Sequence, residues 1–75
     1  MDNVNKPIHY QGKVEAIESI ESSLSYEAFK GYLAGNAHKY IIRFDRKNGV
    51  EDLRKAKWYI DKLIKHMEDG KNRQI

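Results

Sequence analysis

Residues 50–67, VEDLRKAKWYIDKLIKHM, decide the fold class. Val50, Leu53, Ala56, Ile60, Leu63, Ile64 and Met67 recur at three- and four-residue spacing, which draws one apolar stripe along a helix. Glu51 and Asp52 fall in its first turn, where the helix dipole favours negative charge. The stripe is expected to face the core. Trp58 projects away from it, among Arg54, Asp61, Lys62 and Lys65. A tryptophan on a polar helix face suits a subunit interface or the stacking of a base.

The preceding stretch, residues 35–49, reads GNAHKYIIRFDRKNG. Lys47-Asn48-Gly49 is a turn signal that closes it. As a helix from Asn36 to Lys47, it places Ala37, Tyr40, Ile41 and Phe44 on one face and Lys39, Arg43, Arg46 and Lys47 on another. His38 and Ile42 fall on a third side. The cationic face is read either as solvated surface or as a phosphate site. Two features favour the phosphate: free N–H groups where a helix begins at Gly35-Asn36, and the rings of Tyr32, Tyr40 and Phe44 close in sequence. Cations beside rings match a nucleotide, whose phosphate needs charge and whose base needs a flat surface.

Further upstream, Tyr26 to Leu33 forms a helical stretch with Tyr26, Phe29 and Leu33 on its buried side and Ser25 as N-cap. Gly31 and Gly35 each cost about 1 kcal/mol inside a helix, so a kink, or another backbone passing close, is expected there. Residues 13–22 form a short helix with Val14, Ala16, Ile17 and Ile20 apolar and Glu15, Glu18 and Glu21 on a neighbouring strip. Residues 1–12 carry Pro7 and Gly12 without helical period and read as an N-terminal arm. Residues 69–75 read as a frayed tail. The expected fold is all-α: three to four short helices in a small bundle over residues 13–68.

At 75 residues the chain suits one domain, and a domain of this size is marginal in stability. It has no cysteine, which excludes disulfides and cysteine-ligated zinc, so a homo-oligomer is the expected further source of stability. No secretory signal or membrane span is expected, and the reading is a protein of the cytoplasm. Net charge is +3, which suits a small anion better than nucleic acid. No paired histidine spacing occurs, so no metal ligand set is expected. The carboxylates Glu15, Glu18 and Glu21 with Glu51, Asp52 and Asp61 could form parts of a Mg²⁺ site, but the helix dipole and a wet helix side account for them equally. No cofactor is expected, apart from Mg²⁺ if the chain is catalytic. P-loop and dinucleotide-binding glycine motifs are missing from the sequence.

The segments PIHYQGKVEAIESIE and GNAHKYIIRFDRKNGVEDLRKAKWYIDKLI resemble a small phage-encoded family, described as a domain of unknown function or a phage nucleotide kinase. Its Pro-x-His-Tyr opening, Gly-Asn-Ala-x-Lys-Tyr-x-x-Arg centre and Lys-Ala-x-x-Tyr close match here over roughly residues 7 to 64. The matching positions are His9, Tyr10, Gly12, Glu15, Gly35, Asn36, Lys39, Tyr40, Arg43, Lys47, Asp52, Leu53, Lys55, Ala56 and Tyr59. The resemblance implies a phage origin, a nucleotide ligand and oligomerisation. The expected ligand-binding residues are therefore His9, Tyr10, Asn36, Lys39, Tyr40, Arg43, Lys47 and Tyr59, with Trp58 and Ile42 at an interface or stacking position. The expected function is to bind a nucleotide or nucleotide-derived signal and sequester it from a host defence system. The alternatives are a nucleoside monophosphate kinase and a protein-binding inhibitor of a host protein.

Overall fold

The computed structural model describes residues 8–73, with side chains described for residues 16–70. Helix α1 spans Ile8–Ser23, α2 spans Tyr26–Arg43 and α3 spans Val50–Arg73. No strand occurs among these residues, and the fold is all-α with three helices. Helices α2 and α3 form an antiparallel hairpin. Tyr26 at the start of α2 meets His66 and Gly70 near the end of α3, and Arg43 at the end of α2 meets Asp52 at the start of α3.

Local chemistry sets the ends of these helices. The Ser25 side chain accepts from Ala28 N–H at 3.1 Å, which caps α2 as its sequence suggests. After Arg43 the chain turns through residues 44–49. Gly49 adopts a φ of 57°, a conformation that glycine reaches without steric cost, and its N–H donates to Phe44 O at 2.8 Å. Helix α3 starts at the next residue.

Phe29, Leu33, Ala37 and Tyr40 of α2 pack against Ala56 and Tyr59 of α3, and Ile17 of α1 completes the buried set. Ile20, Tyr32, Trp58 and Leu63 pack half-buried around it. At the far end Gly70 is buried against Tyr26, in a space where a methyl group would overlap the ring. His66 Nε2 lies 3.0 Å from Tyr26 O, and because a carbonyl can only accept, that nitrogen carries the proton. Lys62 ties α3 to Glu21 of α1 at 3.7 Å.

Four expectations are corrected. First, α2 does not break at Gly35-Asn36. It runs through both glycines, and a Cβ added at Gly31 or Gly35 would meet nothing within 4 Å. No close backbone explains them, and the burial of Phe29, Leu33, Ala37 and Tyr40 along one face carries the helix across. Second, α1 reaches back to Ile8, so residues 8–12 are helical rather than an extended arm. Third, α3 continues to Arg73 through the expected tail. Fourth, the apolar stripe of α3 is not its core face. Ala56 is buried and Leu63 half-buried, but Val50, Leu53, Ile60, Ile64 and Met67 are exposed. The face that packs carries Asp52, Ala56, Tyr59, Leu63, His66 and Gly70 instead. Residues 1–7, 74 and 75 lie outside the described part.

Candidate functional site

The turn end of the α2–α3 hairpin gathers the positive charge. Lys39 and Arg43 stand one turn apart at the end of α2, and Lys55 stands on the second turn of α3. All three approach the Tyr40 ring: Lys39 Nζ lies 4.8 Å from its centroid, Arg43 Cζ 4.9 Å and Lys55 Nζ 5.5 Å. The negative face of the ring attracts each cation, but three cations around one phenol also repel one another. An anion with several oxygens would relieve that repulsion.

Asp52 fixes the arginine. Its side chain is fully buried. Oδ2 accepts from Arg43 Nε at 3.2 Å and from the Asn48 backbone N–H at 3.1 Å, while Oδ1 accepts from Arg43 Nη2 at 3.3 Å and Asn48 Nδ2 at 3.4 Å. Burial opposes the charged form, but the Arg43 guanidinium and the two Asn48 donors outweigh it and hold the carboxyl below its ordinary value of 3.8. Every strong acceptor direction of the carboxylate is thus occupied. Lys55 is steadied more loosely by Glu51 at 3.6 Å.

Behind the cations runs a line of rings. Tyr40 stacks on Tyr59 at 5.9 Å, and Tyr59 meets Tyr32 edge-on at 6.4 Å and Trp58 at 5.0 Å. Phe29 continues the line from Tyr32 to His66, which stacks on Tyr26 at 4.4 Å. Burial, followed by the neighbouring phenols Tyr32 and Tyr40, pushes the Tyr59 hydroxyl up to about 12.

The structure brings together Lys39, Tyr40, Arg43 and Tyr59 of the residues singled out by sequence. Asn36 lies inside α2, where its Nδ2 donates to Tyr32 O at 2.9 Å. It therefore offers no helix N-terminus to an anion, which corrects that expectation. Arg46 and Lys47 lie in the turn and do not extend a helical face. Tyr40 and Tyr59 are core side chains whose rings cover each other, so neither presents an open face to a base. Trp58 does not stand apart on a polar face. It is half-buried with its ring edge-on to Tyr59. It follows Lys55 by three residues and so shares that side of α3. Ile42 is 57% exposed. The side chains of His9 and Tyr10 lie outside the described set. Among the described residues no three His, Cys, Asp or Glu side chains gather as a metal site. In the sequence Asp52 was legible as a dipole partner, as part of a possible Mg²⁺ site and as a position shared with the family, but not as the partner of Arg43. The signal missed was its distance from Arg43, nine residues across an Asn-Gly turn.

Residues 4–61 match the model of a family described as a protein of unknown function, DUF3310, and the chain belongs to that family. Its curated relatives are phage proteins. The chain is 39% identical over 74 residues to "Nucleotide kinase gp1.7" of Escherichia phage T7, covering 91% of this chain and 38% of that protein. It is 41% identical over 70 residues to "Gene 1.7 protein" of Enterobacteria phage T3, covering 85% of this chain and 43% of that protein. The chain thus spans about two-fifths of the length of these relatives. No solved structure matches it. No helix among the described residues is long and apolar enough to cross a membrane.

Proposed function

We propose that this chain binds a nucleotide at the Tyr40 cluster and holds it intact, so that it sequesters a nucleotide or nucleotide-derived signal in the host cell. The convergence of Lys39, Arg43 and Lys55 on one ring carries this reading. The phosphate lies against these cations, with Lys47 of the adjoining turn in support. Trp58, on the side of Lys55, supplies the ring for the base in place of the enclosed Tyr40 and Tyr59. Asp52 is the carboxylate nearest the arginine, and its four hydrogen bonds leave it no role as a base or metal ligand. That saturation favours holding over chemistry at this cluster. A phage that removes a host nucleotide signal in this way disarms the defence that reads it.

The second reading is a nucleotide kinase, favoured by the 39% identity to a protein of that name. The groups for phosphoryl transfer, including a Mg²⁺ site, then come from outside the Tyr40 cluster.

The test is to incubate the protein with a pool of cyclic and linear nucleotides, ATP and Mg²⁺, and to identify bound and free species by mass spectrometry. An unaltered nucleotide carried by the protein supports sequestration, and a newly phosphorylated nucleotide supports the kinase. The double variant Lys39→Ala/Lys55→Ala is expected to lose binding while keeping its helical content. Retained binding removes the Tyr40 cluster as the site. Arg43→Ala is a poorer probe, because it strips a buried carboxylate of its partner.

A further inference from the structure

The outer face of α3 is an unpartnered apolar seam. Val50, Leu53, Ile60, Ile64 and Met67 are 59%, 39%, 40%, 50% and 44% exposed. They follow the alternating three-and-four spacing of a coiled-coil seam, with Lys57 filling the one remaining seam position. Lys57 does not interrupt the seam at its head, because its Nζ bonds Asp61 at 3.1 Å and draws the charge to the flank. The seam points away from the core face of Asp52, Tyr59 and His66, and lies on the far side of α3 from Lys62, which faces α1.

We propose that this seam pairs with the same seam of a second copy, with the two α3 helices antiparallel. The charges along the flank select both the partner and its direction. Arg54 and Asp61 lie seven residues apart on the same edge of the seam, so one copy offers a positive and then a negative group. Antiparallel pairing sets Arg54 against the partner's Asp61, and the two-fold axis forms that pair twice. In the same register Val50 layers on the partner's Met67, Leu53 on the partner's Ile64, and the Lys57 stem on the partner's Ile60. The whole seam is thereby covered. The inner edge also agrees, since Ala56 is buried in the core there and Leu63 is half-buried, so this apolar edge brings no charge to the pair. A parallel pair would place Arg54 and Asp61 beside that apolar edge and leave both without cross-helix partners.

The seam from Val50 to Met67 is about 26 Å long at 1.5 Å per residue. A strip one helix wide and of that length is smaller than the roughly 800 Å² per partner of a standard stable interface. A dimer held by so narrow a strip dissociates on dilution, so its mass is read across a concentration series. This pairing is independent of the nucleotide reading, because none of the seam residues belongs to the Tyr40 cluster.

Sedimentation equilibrium tests it first. The wild-type chain is expected at twice its 8.8 kDa mass at high concentration, with Ile60→Glu and Ile64→Glu at half the wild-type mass and unchanged helical circular dichroism. A wild-type monomer, or variants that keep the wild-type mass, overturns the proposal. Direction and register are tested with cysteines, since the chain has none of its own. Arg54→Cys protein mixed with Asp61→Cys protein should give a disulfide-linked heterodimer under mild oxidation, in clear excess over the self-linked product of either alone. Equal or greater self-linking overturns the antiparallel register. The charge reversals Arg54→Asp and Asp61→Arg should each weaken the dimer, and the double variant should restore it. Failure of that rescue overturns the Arg54–Asp61 pairing.

Discussion

Helix α3 has two apolar faces, and they are built from different residues. The inner face carries Asp52, Ala56, Tyr59, Leu63, His66 and Gly70, a carboxylate, two rings and two small residues around one leucine. The outer face carries Val50, Leu53, Ile60, Ile64 and Met67, all plain aliphatic or thioether side chains. By hydropathy alone the outer face is the better core. The chain buries the other one because its polar groups are satisfied there and its small residues admit the rings of α2. Asp52 has four donors, His66 has the Tyr26 carbonyl, and Gly70 admits the Tyr26 ring. Apolar periodicity thus reports that a face needs cover, and not whether the cover comes from its own chain.

The widest gap between the two faces should appear on truncation. Leu33 is fully buried against the inner face, and Leu33→Ala is expected to cost about 2–5 kcal/mol, a large share of what a domain this small possesses. Ile64→Ala on the outer face should change monomer stability by no more than about 0.5 kcal/mol in dilute solution. Thermal or urea melts at low concentration compare them. Equal losses would mean that the outer stripe is core after all.

Gly70 sharpens the same contrast. A methyl group there collides with the Tyr26 ring, and overpacking of this kind costs about 1–3 kcal/mol. Gly70→Ala is expected to lower the melting point and to weaken the tyrosine signal in near-ultraviolet circular dichroism. An unchanged spectrum and melt would show that Tyr26 does not rest on α3.

The polar groups of the inner face give it a pH signature. Asp52 ionises more readily in the folded chain than in the unfolded one, so its contribution is complete above 3.8 and is lost as pH falls through the lower folded value. Tyr59 works the other way. Its folded value of about 12 exceeds its ordinary 10.0, so its contribution is complete below 10 and is lost as pH rises through 12. Asp52→Asn should flatten the acid limb of the stability profile and Tyr59→Phe the alkaline limb. Chemical melts across pH read both. A limb that survives its substitution belongs to another group.

How much of this was legible in the sequence follows from the kind of signal. The all-α class, the Ser25 cap and the turn at Asn48-Gly49 came from local chemistry, which acts within a few residues. The basic positions Lys39 and Arg43 were legible from the stretch itself. The continuity of α2 was not, because two glycines argue locally for a break and only tertiary burial overrules them. Nor was the choice between the faces of α3, since Tyr59, His66 and Asp52 count as polar until their partners are known. The Arg43–Asp52 pair needs the hairpin to exist before it can be seen.

The one effect expected with the opposite sign, and a small one, comes from Gly35. It lies inside α2 with a helical backbone, and a Cβ there would meet open space. Alanine restricts the unfolded chain and suits the helix, so Gly35→Ala should add about 0.5–1 kcal/mol of stability, where Gly70→Ala removes more than that. The two glycines thus separate by sign, one kept for a ring that needs its space and one with no packing reason. Gly35 stands four residues before Lys39 on the same side of α2, so a ligand on the Tyr40 cluster could approach its bare backbone. Measuring nucleotide binding alongside the melt decides this. A more stable protein that binds less tightly would tie Gly35 to the ligand, whereas a more stable protein with unchanged binding would leave the glycine unused by both the core and the site.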